Sequence, residues 1–138
     1  MDEFPRSIGK DHRFEVIDGF IDILVPSTLV SAAGAISGLP NVAPRTCVRL
    51  WELCNSTNEG DKAEARRLRN VVALADGVAI GIGIAGMKQI LHRKFGYGKN
   101  PRRPLLPMEE ARADVVLNDL YIRALMEEEP AVQNEPGR

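Results

Sequence analysis

The sequence predicts an α/β chain that is mostly helical by content: one short βαβ unit followed by about four helices. Three observations carry this. Two β-type runs end in glycine and flank an apolar segment of helix length. A proline-led apolar stripe follows at helical spacing. Amphipathic stripes then continue, with turn residues between them, to residue 126.

Residues 1–13 are polar, lack periodicity and are expected to be a loop or frayed start. Phe14-Glu15-Val16-Ile17-Asp18 is a β-type run that stops at Gly19. Residues 21–32 are apolar enough for a buried helix, and Pro26 falls near its first turns, where a missing N–H costs least. Gly34-Ala35-Ile36-Ser37-Gly38 reads as the second strand. Strand, helix and strand in so short a span imply two parallel strands joined by a right-handed crossover. Pro44 suits the first turn of a helix whose stripe is Cys47, Val48, Trp51 and Cys54. Asn55 to Gly60 is a turn, Asp61 a candidate N-cap, and Ala65, Leu68, Val72 and Ala75 the next stripe. A glycine-dotted stretch from Gly77 to Gly86 leads to Met87, Ile90, Leu91 and Phe95, and Gly96 and Gly98 end that helix. Asn100 to Pro107 is an extended connector. Residues 108–126 form a last helix, with Val116, Leu120 and Ala124 on one side. Residues 127–138 are acidic and contain proline, which predicts a disordered tail.

Two strands cannot make a stable sheet alone, and parallel strands need cover on both faces. The sheet is therefore a fragment of something larger, with edges through which the chain would associate, as a homo-oligomer or otherwise.

Charge excludes some functions. A net charge of −1 argues against nucleic acid as the main partner, because phosphate binding needs a basic surface. No apolar run reaches the roughly 18 residues of a membrane span, so no membrane role is expected. No apolar signal segment follows Met1-Asp2-Glu3, and cytoplasm is the default location, with the mitochondrion as the alternative if a preceding segment carried a transit peptide. His12 and His92 are far apart and no Cys/His cluster has ligand spacing, so neither a metal nor another cofactor is expected. Cys47 and Cys54 lie two helical turns apart, roughly 10 Å, too far for a disulfide. Gly81-Ile82-Gly83-Ile84-Ala85-Gly86 imitates a dinucleotide fingerprint, but it follows a helix rather than a strand and reads as close helix packing.

The segment Val16-Ile17-Asp18-Gly19, then Gly34-Ala35-Ile36-Ser37-Gly38-Leu39-Pro40-Asn41-Val42-Ala43-Pro44, resembles the end of the barrel in the dihydrodipicolinate synthase / N-acetylneuraminate lyase family. Gly60-Asp61 with Glu64-Ala65-Arg66 is similar to that family's next helix start. Ile84-Ala85-Gly86-Met87-Lys88, Phe95-Gly96-Tyr97-Gly98 and Arg103-Pro104-Leu105 look like the 4-hydroxy-2-oxoglutarate aldolase branch or the fungal sugar-acid aldolases. The resemblance covers about residues 12–126. It implies an incomplete TIM (β/α)8 barrel: residues 14–56 as its last βαβα part and 57–126 as a C-terminal helical extension. It also implies Schiff-base aldol chemistry on pyruvate or another 2-oxo acid, in which a lysine iminium serves as electron sink and a tyrosine moves the proton.

By that resemblance Gly19 lets substrate approach the backbone, and Ile36 turns its carbonyl toward the pyruvate. Phe20-Ile21 stand where many synthases have acidic residues, which disfavours the synthase branch. The Schiff-base lysine and proton-shuttle tyrosine would lie upstream. Lys10 sits only nine residues before Gly19, too near for the family's lysine strand. Lys62, Lys88 and Lys94 fall on helices, Lys99 in a turn, and Tyr97 and Tyr121 match no shuttle position. Arg102 and Arg103 could grip a carboxylate but belong to the extension. No catalytic residue is therefore assigned, and the chain is expected to be inactive alone. The alternative is a non-catalytic helical module or partner subunit.

Overall fold

The computed structural model describes residues 15–133, with side chains through residue 130. Lys10, His12 and Phe14 lie outside the described residues. The order is β1 (Ile17–Asp18), α1 (Leu24–Leu29), β2 (Gly34–Ala35), a 3-10 turn (Leu39–Asn41), α2 (Pro44–Asn55), α3 (Glu59–Phe95), α4 (Glu110–Leu117) and α5 (Leu120–Gln133).

The two strands pair in parallel, Ile17 beside Gly34 and Asp18 beside Ala35. The ladder is extended at each end, where Ala33 N–H donates to the Val16 carbonyl at 2.7 Å and Ile36 N–H to the Asp18 carbonyl at 2.8 Å. Both strands are shorter than their β-type runs, and among the described residues no third strand supplies further ladder bonds. The crossover helix is also shorter than the apolar segment that suggested it. Pro26 stands in its first turn, where it removes no intrahelical bond.

The core forms where the helices meet. Leu39 enters it from the 3-10 turn, Val42 and Ala43 from the link to α2, Leu50 from α2, Leu68, Val72, Ala75 and Ile90 from α3, and Leu125 from α5; each is fully buried. α3 packs on both α2 and α5. Its N-cap is Asn58, whose side-chain oxygen accepts from Gly60 N–H at 3.0 Å. This corrects the expectation for Asp61, which lies inside the first turn, is buried, and accepts from the Ser56 hydroxyl at 2.5 Å. Gly96 closes α3 in the left-handed conformation, φ 75°, with its N–H on the His92 carbonyl. An 18-residue window of α3 is long and apolar enough to cross a membrane by length and composition, which the sequence reading did not expect. Here the helix instead supplies four of the core's fully buried side chains.

Two C-terminal expectations are corrected. The single helix over 108–126 is two, because Asp119 interrupts it: its carboxylate accepts from Tyr121 N–H at 2.8 Å and starts α5 anew. The acidic stretch after 126 is helical to Gln133 rather than a disordered tail. Two of its carboxylates are anchors. Glu128 meets the Arg67 guanidinium through two hydrogen bonds, 3.0 and 2.6 Å. Glu129, only 8% exposed, accepts from Arg45 N–H, Thr46 N–H and the Thr46 hydroxyl at 2.8–3.0 Å. It therefore caps α2 in place of Ala43, which has no side-chain acceptor.

Replacing Glu129 with alanine strands these donors in a buried place. It is expected to lower unfolding stability by about 2–4 kcal/mol, read as a lower urea midpoint at unchanged slope. Glu129→Gln keeps one acceptor and should cost less. Midpoints that neither substitution moves would contradict the cap.

Candidate functional site

Parallel strands direct their carboxyl ends to one side, and in barrels that side carries the chemistry. Here the carboxyl ends of β1 and β2 border a cavity of about 410 Å³, within the range of small-ligand sites. One wall is the chain after β1, Gly19 and Phe20. A second is the turn after β2: Ser37, Gly38, Leu39 and Asn41. The third is α3, with Asp76, Ala79 and Ile80 before a kink and Ile84, Met87, Lys88 and Leu91 after it.

The kink makes the third wall. Gly83 has φ 60° and ψ −165°, a conformation that only glycine adopts without a large cost. Gly86 is buried against Ile82, and a Cβ there would stand 2.4 Å from the Ile82 Cβ. The glycine-rich run is thus a helix bend closed by a tight contact within α3 itself, where close packing between helices was expected.

The structure brings Gly19 and Ile36 to the same end of the sheet. Gly19 lines the cavity, with open space where a side chain would begin. Ile36 is not in the cavity wall; its side chain is 73% exposed and its N–H is bonded across to β1. Asp18 sits beside them, and the Ser27 hydroxyl donates to its Oδ2. That bond, with the Phe20 and Gly19 backbone N–H groups, holds the Asp18 carboxyl below its usual range.

Lys88, read only as a helix lysine, faces the same cavity as Gly19. It is partly buried and makes no hydrogen bond or ion pair among the described residues. Lys62 and Lys99 are tied to Glu59 and Glu110, and Lys94 is exposed. Tyr97, Tyr121, Arg102 and Arg103 are exposed and away from the cavity. Sequence reasoning missed Asp76 as well. A carboxylate flanked by Ala75, Val78 and Ala79 on a buried stripe was the signal that could have found it. Asp76 is 4% exposed, and burial pushes its carboxyl up, with the Asp22 charge adding to the shift. Cys47 is likewise buried and its thiol is pushed up to about 12, mainly by burial, then by Glu129 and Asp76; both cysteines are free. Among the described residues no three His, Cys, Asp or Glu are grouped to hold a metal ion.

The dihydrodipicolinate synthetase family model matches residues 4–122. The chain belongs to that family. It is 34% identical over 98 residues to an L-threo-3-deoxy-hexylosonate aldolase of Hypocrea jecorina, covering 71% of this chain and 30% of the relative. It is 37% identical over 102 residues to a probable 4-hydroxy-2-oxoglutarate aldolase, mitochondrial, of Emericella nidulans, covering 72% and 32%. Among solved structures, a dihydrodipicolinate synthase family protein from Coccidioides immitis superposes with a TM-score of 0.67 at 27% identity, over 83% of this chain and 39% of that one. The chain thus spans about a third of the length of the curated relatives it matches. The small parallel sheet and helical remainder agree with part of a TIM barrel and an attached helical region.

Gly83→Ala should destabilise the chain by about 1–3 kcal/mol through the forbidden backbone angle, and Gly86→Ala by a similar amount through overpacking. Gly77→Ala, where the added Cβ meets open space, should be neutral or stabilising. Thermal unfolding of the three variants checks the order; equal midpoints would remove the kink's structural basis.

Proposed function

We propose that this chain supplies the carboxyl-terminal part of a pyruvate-type Schiff-base aldolase site of the 4-hydroxy-2-oxoglutarate or 2-keto-3-deoxy sugar-acid kind. One observation carries the reading: a family member places Gly19, open on its Cα side, at the mouth of a ligand-sized cavity at the strand ends. In this reading Gly19 admits the 2-oxo acid against the backbone, and the Ile36 carbonyl, one step past the bonded ladder, faces it. The relatives named as aldolases of hexulosonate and hydroxy-oxoglutarate substrates support the branch, as does Phe20-Ile21 after the glycine. The name of the second relative supports a mitochondrial over a cytoplasmic setting.

The chain alone is proposed to be inactive. Schiff-base chemistry wants a lysine enclosed in a dry pocket. Among the described residues the one lysine in the cavity wall, Lys88, comes from a helix and is partly exposed.

A second reading is favoured by the surface. Val16, Ile17, Phe20, Leu29, Val30 and Ile36 are 50–83% exposed around a two-stranded sheet whose outer edges are unpaired among the described residues. Such a face associates rather than stays in water, so the chain would act as a partner subunit or self-associate.

Borohydride reduction in the presence of pyruvate, followed by intact mass and peptide mapping, tests the first reading: the expected result is no adduct, and a covalent adduct on Lys88 or any other lysine would overturn the proposed inactivity. Size-exclusion chromatography tests the second: the expected result is an oligomer that grows with concentration, and a monomer at all concentrations would contradict it.

A further inference from the structure

Lys88 puts an uncompensated cation into an apolar wall. It stands on α3 five residues past the Gly83 bend, and its neighbours Ile84, Met87 and Leu91 line the same cavity. It is partly buried and makes no hydrogen bond or ion pair among the described residues. The other described lysines differ: Lys62 and Lys99 are tied to Glu59 and Glu110, and Lys94 is exposed outside the cavity wall. Carboxylates that could answer Lys88 are engaged elsewhere. Asp18 holds the Ser27 hydroxyl and the Phe20 N–H. Asp76, the acid of the same wall, accepts from the Ile21 and Asp22 backbone N–H groups, and twelve positions and the bend separate it from Lys88. Glu110 and Asp114 hold Arg93 and Lys99. The two facing walls, Gly19 with Phe20 and the turn with Ser37, Gly38 and Asn41, carry no charged side chain. A charge among apolar side chains acts more strongly than one in water, because less solvent screens it. A ligand in this space of about 410 Å³ therefore meets a positive charge at the Lys88 turn and a negative one before the bend.

We propose that Lys88 anchors the second carboxylate of a short dicarboxylic 2-oxo acid whose oxo-acid end lies against Gly19. The proposal rests on the reading of the cavity as a 2-oxo acid site and chooses between the two kinds of substrate named for it. The hydroxy-oxoglutarate kind has a charged far end that Lys88 can neutralise. The sugar-acid kind ends in an uncharged polyol and would leave the cation unanswered. In this arrangement the Lys88 ammonium donates charge-assisted hydrogen bonds to the far carboxylate. Lys88 is then a residue that sets specificity, and it forms no bond to the keto carbon.

The test is binding of matched acids to the full chain, measured by calorimetric titration and by NMR of the lysine side chains. 2-Oxoglutarate carries both features. 2-Oxopentanoate has the same length but a methyl group in place of the second carboxylate. Glutarate keeps both carboxylates and lacks the oxo group. 2-Oxoglutarate is expected to bind at least about tenfold more tightly than 2-oxopentanoate and to shift the Lys88 side-chain signal. K88Q should remove that preference, K88R should restore part of it, and K94Q, outside the cavity wall, should leave it intact. Near-UV dichroism of K88Q checks that the fold is kept; if it is not, the wild-type preference and the Lys88 signal decide. Equal binding of the two oxo acids to the unmodified chain would overturn the proposal. So would a preference that survives K88Q in a folded chain, or no measurable binding of either acid. Glutarate separates this proposal from the reading beneath it. If glutarate binds as tightly as 2-oxoglutarate, and only while Lys88 is present, the anchor stands and the oxo-acid reading of the cavity falls.

Discussion

The carboxylate of Glu129 on the first turn of α2 is the interaction on which the rest of this structure depends. It joins residues 83 positions apart in sequence and accepts three hydrogen bonds in a place almost closed to water. Burying a charge is costly unless it is fully paired, and here the pairing is with the unsatisfied N–H groups that every helix start presents. The Arg67–Glu128 fork lies beside it on α5 and fixes the same helix to α3. α2, α3 and α5 are thereby locked into one core.

The strand ends inherit their position from that core. A pair of two-residue strands has too few ladder bonds to persist alone. Its support comes from the 3-10 turn and the link after it, whose Leu39, Val42 and Ala43 are fully buried, and from α1 packed on α2. The cavity arises because α3 bends at Gly83 instead of running straight over the sheet. A straight helix of the same composition would lay Ile80, Ile84 and Met87 along one line. The bend folds two short apolar faces around a space that the strand ends complete.

Much of this was legible in sequence. The βαβ order, the start of α2 at Pro44 and the stop of α3 at Gly96 follow from local chemistry that tertiary packing did not alter. The family was legible in its glycine-spaced strand ends. What was not legible required knowledge of distant partners. Glu127-Glu128-Glu129-Pro130 has the composition of a disordered tail, yet Glu128 and Glu129 are anchors because Arg67 and the α2 start lie opposite them. Asp61 was a fair cap by type, but the chain turns three residues earlier and gives the role to Asn58. Lys88 looked like any helix lysine until the fold placed it in the wall of the same cavity as Gly19. Of the two site residues expected from resemblance, Gly19 meets the cavity directly, whereas the exposed side chain of Ile36 leaves only its backbone available.

The most direct measurement of this account is native-state hydrogen exchange of the Arg45 and Thr46 amides in the unmodified chain. Amides at the start of a helix normally exchange freely, because no intrahelical acceptor holds them. If Glu129 organises the core, these two will be protected nearly as well as the amides of Leu68 and Val72 and will open only with global unfolding. Exchange at the rate of a frayed helix end, while α3 remains protected, would show that the fold stands without the clamp.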